Sequence, residues 1–226
     1  MIGGATRVVA LIGDPVEHSL SPRMQNAAFD ARGLDWAYVA LRVHAESLAD
    51  ALRGMSALAL AGANITTPHK AAVASLLAAD VPSVNTLVVD KGRISAVSTD
   101  TAILDTLSFE TAAILGDGGS AAAFAHVLPN ARRFARRADW PPRVADVDLV
   151  VNATSARDDV LVELGRRQTL VDLPYPRTAT AIAAEEAGAR VVDGLDVLVA
   201  QGAASFELWT GIPAPVDVMR AAVRSA

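Results

Sequence analysis

The sequence has no cysteine among its 226 residues, and its only histidines are His18, His44, His69 and His126. The absence of cysteine excludes disulfide bonds, thiolate metal ligands and a cysteine nucleophile. No histidine stands in a spacing such as HExxH, so we predict no metal site. No apolar run approaches the ~18 residues of a membrane helix, and the N-terminus lacks a basic n-region and a cleavage pattern. We therefore expect a cytoplasmic protein without a membrane partner.

Composition and length favour a globular protein of two small domains. Hydrophobic residues make up 52% of the chain and charged residues 20%, which is enough for a sizeable core. The net charge of −5 does not favour a nucleic-acid partner or an anionic membrane.

Short apolar runs alternate with helical patterns in the first half of the chain, which is typical of βαβ units. The predicted strands there are RVVALIG, WAYVALRV and LALAGANIT, and the predicted helices are SPRMQNAAFDARGL, AESLADALRGM and PHKAAVASLLA. A hairpin follows, formed by SVNTLVVD and RISAVST around the turn Asp90-Lys91-Gly92. The segment TDTAILDTLSFE reads as a helix that leads into the second half.

A second α/β unit is predicted to begin at TAAILGDGGSAAAFAHVLP, where strand, glycine turn and helix follow one another directly. Its later strands are RRFARR, VDLVVNAT, TLVDLPY and ARVVDG, and two helices, LDVLVAQGAASFELWTG and PVDVMRAAVRSA, close the chain. The fold class is therefore α/β.

The glycine turn Gly116-Asp117-Gly118-Gly119 ends an apolar strand and opens an alanine-rich helix. Backbone N–H groups at such a helix start suit a dinucleotide pyrophosphate, although an ordinary strand-to-helix turn needs glycines too. About 20 residues on, where a ribose contact is expected, the chain offers Arg136, Arg137 and Asp139. Arginine there favours the 2′-phosphate of NADP, Asp139 would favour NAD, and a solvated basic face is the alternative.

Polar residues also follow several predicted strands of the first half, including Ser19, Ser21, Lys70, Asn85 and Asp100. Ligands of open α/β sheets bind outside the carboxyl ends of strands, so these groups are expected to converge on one crevice. Hydroxyls, amides, one cation and one carboxylate suit a small polyhydroxylated substrate. The alternatives are helix caps for the serines and Asp100, a turn for Asn85 and a surface position for Lys70.

Seven motifs in order between residues 13 and 211 carry a family resemblance: HSLSP, NITTPHK, VNT, STD, GDGGSA, VNATS and GLDVLVAQGAASFELWTG. With them the chain resembles the shikimate dehydrogenases. The resemblance implies an N-terminal open α/β substrate domain, residues 1–100 joined by the closing helices 195–226, and a C-terminal Rossmann-like NADP-binding domain, residues 101–194. It implies reversible NADP-dependent reduction of 3-dehydroshikimate to shikimate, in the biosynthesis of chorismate and aromatic amino acids.

The resemblance also assigns roles by position. Lys70 and Asp100 resemble the catalytic pair, with Lys70 as proton donor and alkoxide stabiliser and Asp100 as its partner. The implied substrate-binding residues are Ser19, Ser21, Thr66, Asn85, Tyr175 and Gln201. The implied cofactor-binding residues are Gly116, Gly118, Gly119, Ser120, Arg136, Arg137, Asn152, Thr154 and Gly194. We expect small-molecule partners only and a monomer or homodimer.

The chain departs from the family pattern mainly in the cofactor half. Only ten residues separate Arg137 from Asp148, whereas a crossover to a parallel strand needs a dozen or more. We therefore predict that this stretch lacks a helix, either alone or together with a strand. The family's Asn-Arg-Thr motif reads Ala-Arg-Arg in residues 135–137, and Asp117 lies among the phosphate-binding glycines. In the substrate half, Ser98 and Thr101 replace an asparagine and a glycine.

These departures leave two alternatives open. One is an NAD-dependent quinate, shikimate or aminoshikimate dehydrogenase, for which Asp139 and the changes at Ser98 and Thr101 are the reasons. The other is a non-catalytic protein that binds a shikimate-like ligand and has an impaired cofactor site.

Overall fold

The computed structural model describes residues 2–225, which form two five-stranded sheets with helices packed against them. The chain divides into two compact units, one of residues 1–99 and 199–226 and the other of residues 100–198. In the described part of the chain, no helix is both long and apolar enough to cross a membrane.

The first unit contains a mixed sheet with the strand order β2-β1-β3-β4-β5. Its strands are β1 (Arg7–Gly13), β2 (Trp36–Arg42), β3 (Gly62–Ile65), β4 (Thr86–Asp90) and β5 (Arg93–Val97). The first three are parallel, and β4 runs antiparallel to both neighbours, so β5 points the same way as β1. Residues of β1 on both faces are buried, as expected for a strand covered from two sides.

Helices α1 (Ser21–Ala31) and α2 (Leu48–Ala57) make the crossovers of the first unit, and α3 (Lys70–Leu76) follows β3. The remaining helices are α4 (Gly119–Val127), α5 (Ala179–Glu186), α6 (Gly194–Thr210) and α7 (Val216–Arg224). Helix α6 begins in the second unit and ends in the first.

The second unit contains an all-parallel sheet with the order β10-β9-β8-β6-β7. Its strands are β6 (Ala112–Leu115), β7 (Arg132–Phe134), β8 (Leu149–Asn152), β9 (Thr169–Asp172) and β10 (Arg190–Val192). This order is that of a dinucleotide-binding sheet whose third strand, the one outside the second, is absent.

The crossover from β7 to β8 has neither a helix nor a further strand among residues 135–148. The prediction of a missing element in this stretch is confirmed. Val144 and Val147 from this irregular segment are buried with Phe134 and Leu170, and Trp140 packs against the same cluster. Apolar side chains of a loop therefore cover a sheet face that a helix would otherwise cover.

Two elements differ from the sequence-based expectation. The predicted helix over TDTAILDTLSFE is only a 3₁₀ turn, Ala102–Thr106, because Ile103 is the only residue of the turn that is buried. Helix α5 was not predicted, although Thr178 caps it by accepting a hydrogen bond from the Ala181 amide.

Candidate active site

The carboxyl ends of β1, β3 and β5 and the start of β4 lie at the same edge of the first sheet. Backbone hydrogen bonds join the segments that leave this edge. The Thr66 amide donates to the Ile12 carbonyl over 2.9 Å, and the Ile65 amide donates to the Asn85 carbonyl over 2.8 Å. The structure therefore brings Thr66, which follows β3, next to Asn85, which precedes β4.

Lys70 is the first residue of α3 and is half-buried. Its carbonyl accepts a hydrogen bond of 3.1 Å from the Val84 amide, which fixes the helix start beside the segment that leads to Asn85. The chain has only one other lysine, Lys91, at the hairpin turn of β4 and β5. Among the described residues, Lys70 is therefore the lysine whose backbone lies at this edge of the first unit, beside the segment that leads to Asn85.

Asn85 is buried and connects the strand edge to α6. Its Oδ1 accepts a hydrogen bond of 2.7 Å from the Thr99 amide, and its Nδ2 donates to Gln201 Oε1 over 3.0 Å. The structure thus joins two of the predicted substrate-binding residues that lie 116 positions apart. Asn85 also holds the chain after β5, which fits the predicted turn role.

Behind Asn85 lies a buried polar network that sequence reasoning missed. Tyr38 Oη donates to Asn64 Oδ1 over 2.8 Å, and Asn64 Nδ2 donates to the Asn85 carbonyl and to Ser205 Oγ, both over 3.0 Å. Thr86 joins the same network through Ser205. The available signal was Asn64, an amide inside an otherwise apolar strand. The network fixes the backbone that carries Asn85.

Ser19 and Ser21 stand at the start of α1. Ser21 is buried and begins the helix, and its amide donates to Ser19 Oγ over 3.2 Å. The N-cap position belongs to Leu20, whose side chain cannot accept a hydrogen bond, and Pro22 lies in the first turn. Neither serine therefore serves as the N-cap residue.

In the second unit the glycine turn joins β6 to α4. Gly116 has φ +117°, and a Cβ there would lie 2.9 Å from the Ala153 carbonyl oxygen, so this position requires glycine. A Cβ on Gly118, the N-cap of α4, would meet no atom within 4 Å. The open turn at a helix N-terminus fits a pyrophosphate, while Asp117 is exposed beside it. Ser120 Oγ lies 3.4 Å from Asp100 Oδ2.

Arg136 follows β7 at the carboxyl edge of the second sheet. Its Nη2 lies 3.1 Å from Asp159 Oδ2, and its Cζ lies 5.8 Å from the centre of the Trp140 ring. Arg137 is exposed beside it. Arg136 therefore follows the strand that corresponds to the second strand of a dinucleotide-binding sheet, after which such sheets carry the group that reads the ribose.

Asn152 and Thr154 leave β8 at the same edge. Asn152 is fully buried, and its Oδ1 accepts hydrogen bonds from the amide and the hydroxyl of Thr154. Its Nδ2 donates to Asp172 Oδ1 over 2.7 Å, and Thr178 Oγ1 donates to Asp172 Oδ2 over 2.9 Å. The side-chain amide of Asn152 is thus hydrogen-bonded to other residues of the protein through both its nitrogen and its oxygen. These bonds shape the loop in which Thr154 lies.

Asp172 at the end of β9 has only 1% of its surface exposed. Burial raises the pKa of this carboxyl above its usual 3.8, and the hydrogen bonds from Asn152 and Thr178 oppose the shift. The folded protein therefore binds this proton more tightly than the unfolded chain does, so the contribution of Asp172 to the free energy of unfolding falls as the pH rises from 3.8 through the raised pKa.

We expect the Asp172→Asn variant to lack this fall, because asparagine does not ionise. The free energy of unfolding of the variant minus that of the parent should increase as the pH rises from about 4 to about 7. Urea denaturation followed by circular dichroism at several pH values measures the difference. A difference that stays constant across this range would show that Asp172 titrates normally.

Gly194 and Tyr175 both lie in the second unit. Gly194 follows β10, and Tyr175 follows β9. A Cβ on Gly194 would overlap the carbonyl oxygens of Pro174 and Leu173, so α6 begins in close contact with the loop that carries Tyr175. Tyr175 is therefore on a different unit from the other five predicted substrate-binding residues.

Comparison with known proteins gives matches to two family models. Residues 11–87 match the shikimate dehydrogenase substrate binding domain, and residues 194–224 match the shikimate 5'-dehydrogenase C-terminal domain. A shikimate dehydrogenase (NADP(+)) of Methanopyrus kandleri is 37% identical over 279 aligned positions, which cover 98% of this chain and 96% of the relative. The alignment is 53 positions longer than the chain, so this chain is shortened internally.

Two solved structures show the same fold at nearly full length. Shikimate 5-dehydrogenase of Thermus thermophilus, in complex with NADP(H) and shikimate, has a TM-score of 0.82 and 28% identity, covering 97% of this chain and 99% of that one. Shikimate 5-dehydrogenase of Listeria monocytogenes, in complex with shikimate and NAD, has a TM-score of 0.84 and 26% identity, covering 98% of each chain.

Proposed function

Because the chain belongs to the shikimate dehydrogenase family, we propose that it catalyses the reversible NADP-dependent reduction of 3-dehydroshikimate to shikimate. The observation that carries this proposal is the convergence of Lys70, Thr66 and Asn85 at one edge of the first sheet, with Gln201 bonded to Asn85. The reaction belongs to the biosynthesis of chorismate and aromatic amino acids.

The polar side chains of the first unit suit a small hydroxylated acid. Ser19, Ser21 and Thr66 offer hydroxyl groups, and Asn85 and Gln201 offer amides. Each of these groups both donates and accepts hydrogen bonds, as recognition of substrate hydroxyls requires. We assign these five residues to substrate binding, together with Tyr175 of the second unit.

Lys70 is the proposed proton donor. Reduction of the 3-keto group develops negative charge on its oxygen, and the Lys70 ammonium stabilises this charge and transfers a proton to the oxygen. Asp100, which is 6% exposed, is the proposed partner that orients the lysine and a substrate hydroxyl. In the reverse direction the neutral lysine accepts the proton.

The second unit is the proposed cofactor domain. The open glycine turn at the start of α4 and Arg136 after β7 fit the pyrophosphate and the ribose end of a dinucleotide. Ser120, Arg137, Thr154 and Gly194 lie at the same carboxyl edge, and Asn152 shapes it from within. When bound, NADP supplies the hydride for reduction of the keto group.

The decisive experiment mixes the purified protein with shikimate and either NADP⁺ or NAD⁺ and follows reduced nicotinamide by absorbance. We expect turnover with NADP⁺. Turnover with NAD⁺ alone, or with quinate or an aminoshikimate in place of shikimate, would replace this proposal with the related dehydrogenase.

A second candidate function is a binding protein without catalysis, and the helix-free crossover between β7 and β8 favours it. Calorimetric titration separates the two functions. Binding of shikimate without binding of either dinucleotide at roughly millimolar concentration would establish the binding protein and exclude the dehydrogenase.

We further propose that the protein acts in the cytoplasm as a monomer or homodimer, with small molecules as its partners. The net charge of −5 disfavours nucleic acids and anionic membranes as partners.

A further inference from the structure

We propose that Asp159 sets the preference between NADP and NAD by competing with the 2′-phosphate of the nucleotide for Arg136. This inference rests on the proposed function and adds a residue that sequence reasoning did not single out. On the sequence alone, Asp139 is the acidic residue that would favour NAD. The carboxylate in contact with Arg136 belongs instead to Asp159, which lies 23 residues after Arg136 in the chain.

The contact lies where the ribose is expected. Arg136 follows β7 and Asp159 follows β8, and β6 lies between these two strands in the sheet. The ion pair thus joins the segments that leave the strands on either side of β6, whose glycine turn fits the pyrophosphate. Dinucleotide-binding sheets read the 2′ position of the ribose at the end of the second strand, here β7.

The ion pair is open to solvent and therefore exchangeable. The side chain of Arg136 is 58% exposed and that of Asp159 is 70% exposed, and Nη2 and Oδ2 are 3.1 Å apart. Exposed pairs of this kind shift an equilibrium by no more than about fivefold. An incoming phosphate can therefore displace the carboxylate from the guanidinium group.

Asp159 affects the binding of the two cofactors differently. A 2′-phosphate needs the same donors of Arg136 that Asp159 occupies, and the two negative groups repel each other. The 2′-hydroxyl of NAD carries no charge and can donate a hydrogen bond to the carboxylate, as it does to the acidic residue that follows the second strand in NAD-binding proteins. Asp159 therefore weakens NADP binding and spares NAD binding.

Trp140 keeps Arg136 in place independently of Asp159. Its ring lies 5.8 Å from Arg136 Cζ, within the range of a cation–π contact, and it packs against the core of the second unit. Removal of the Asp159 charge should consequently free the donors of Arg136 without releasing the side chain.

The test uses two ligands that differ only in the 2′-phosphate, adenosine 2′,5′-bisphosphate and 5′-AMP, titrated calorimetrically into the full-length protein at low salt. We expect Asp159→Asn to tighten binding of the bisphosphate by about fivefold and to change binding of 5′-AMP by less than about twofold. In an Arg136→Ala background the same change should give a clearly smaller gain.

Asp158→Asn is the matched control, because Asp158 is an exposed neighbour and its replacement makes the same change in net charge. It should alter the affinity for either ligand by less than about twofold. The inference is overturned by an equal gain in Asp158→Asn, by equal shifts for both ligands, or by no gain in Asp159→Asn, including no detectable binding.

These titrations involve neither shikimate nor hydride transfer, so they are independent of turnover. Bisphosphate binding that responds to Asp159→Asn as expected, in a protein that does not oxidise shikimate, would refute only the proposed function. Turnover with NADP⁺ whose Michaelis constant is unaffected by Asp159→Asn would refute only the role of Asp159.

Discussion

Replacement of Lys70 by methionine should lower kcat for shikimate oxidation by about 10²–10⁴-fold. Methionine keeps an unbranched apolar stem but removes the ammonium group that stabilises the developing charge and exchanges the proton. The fold should persist, because the backbone contact of residue 70 with Val84 uses the main-chain carbonyl. Steady-state rates over a range of shikimate concentrations, with the cofactor saturating, measure the loss.

Lys91→Met is the matched control for this experiment. Lys91 is exposed at the hairpin turn, and it is the only other lysine, so the two variants differ only in which side-chain amine is removed. The control should retain the parent rate. A Lys70→Met protein that turns over at the parent rate would remove Lys70 from proton transfer and would return the pair Lys70 and Asp100 to ordinary structural roles.

Replacement of Asn64 by alanine should lower the free energy of unfolding of the first unit by about 3 kcal/mol. The change removes the hydrogen bonds that Asn64 makes with Tyr38 Oη, Ser205 Oγ and the Asn85 carbonyl in the buried network. The Asn85 carbonyl keeps its bond from the Ile65 amide, and Ser205 Oγ keeps its bonds to other hydroxyls of the network. Each hydrogen bond that is lost therefore costs about 1 kcal/mol.

Tryptophan fluorescence during urea denaturation reports on this loss. Trp36 and Trp209 lie in the first unit and Trp140 in the second, so a Trp140→Phe background makes the signal specific to the first unit. Tyr38→Phe, which removes a single hydroxyl from the network, should cost about 1 kcal/mol. Equal losses in the two variants would mean that Asn64 contributes only its bond to Tyr38.

The outline of the fold and the position of the candidate site were predictable from local patterns. The run RVVALIG forms β1 with the predicted bounds, and the polar segment after GANI places Thr66 and Lys70 at a strand end. Glycines mark the turn between β6 and α4 because Gly116 adopts a conformation that other residues rarely reach. Such signals need only neighbouring residues, so one sequence suffices to read them.

The parts that escaped prediction depend on distant residues or on weak periodicity. Tyr38, Asn64 and Ser205 form one network but are scattered over the chain, and none of them belongs to a local motif that reveals the others. Asp159 meets Arg136 only because β8 and β7 flank β6. Helix α5 is rich in alanine, which gives no clear apolar face for a pattern to detect.

The shortened second sheet leaves β7 as an edge strand, and this has a consequence for solubility. An edge strand offers unpaired amide and carbonyl groups on which another chain could add a strand, the first step of aggregation. The exposed edge here is only three residues long, and two of them, Arg132 and Arg133, are exposed and charged. Arg132 is paired with Asp146, but two copies that approach along β7 would bring their two Arg133 side chains together, so like charges oppose pairing at the edge that the missing strand left open.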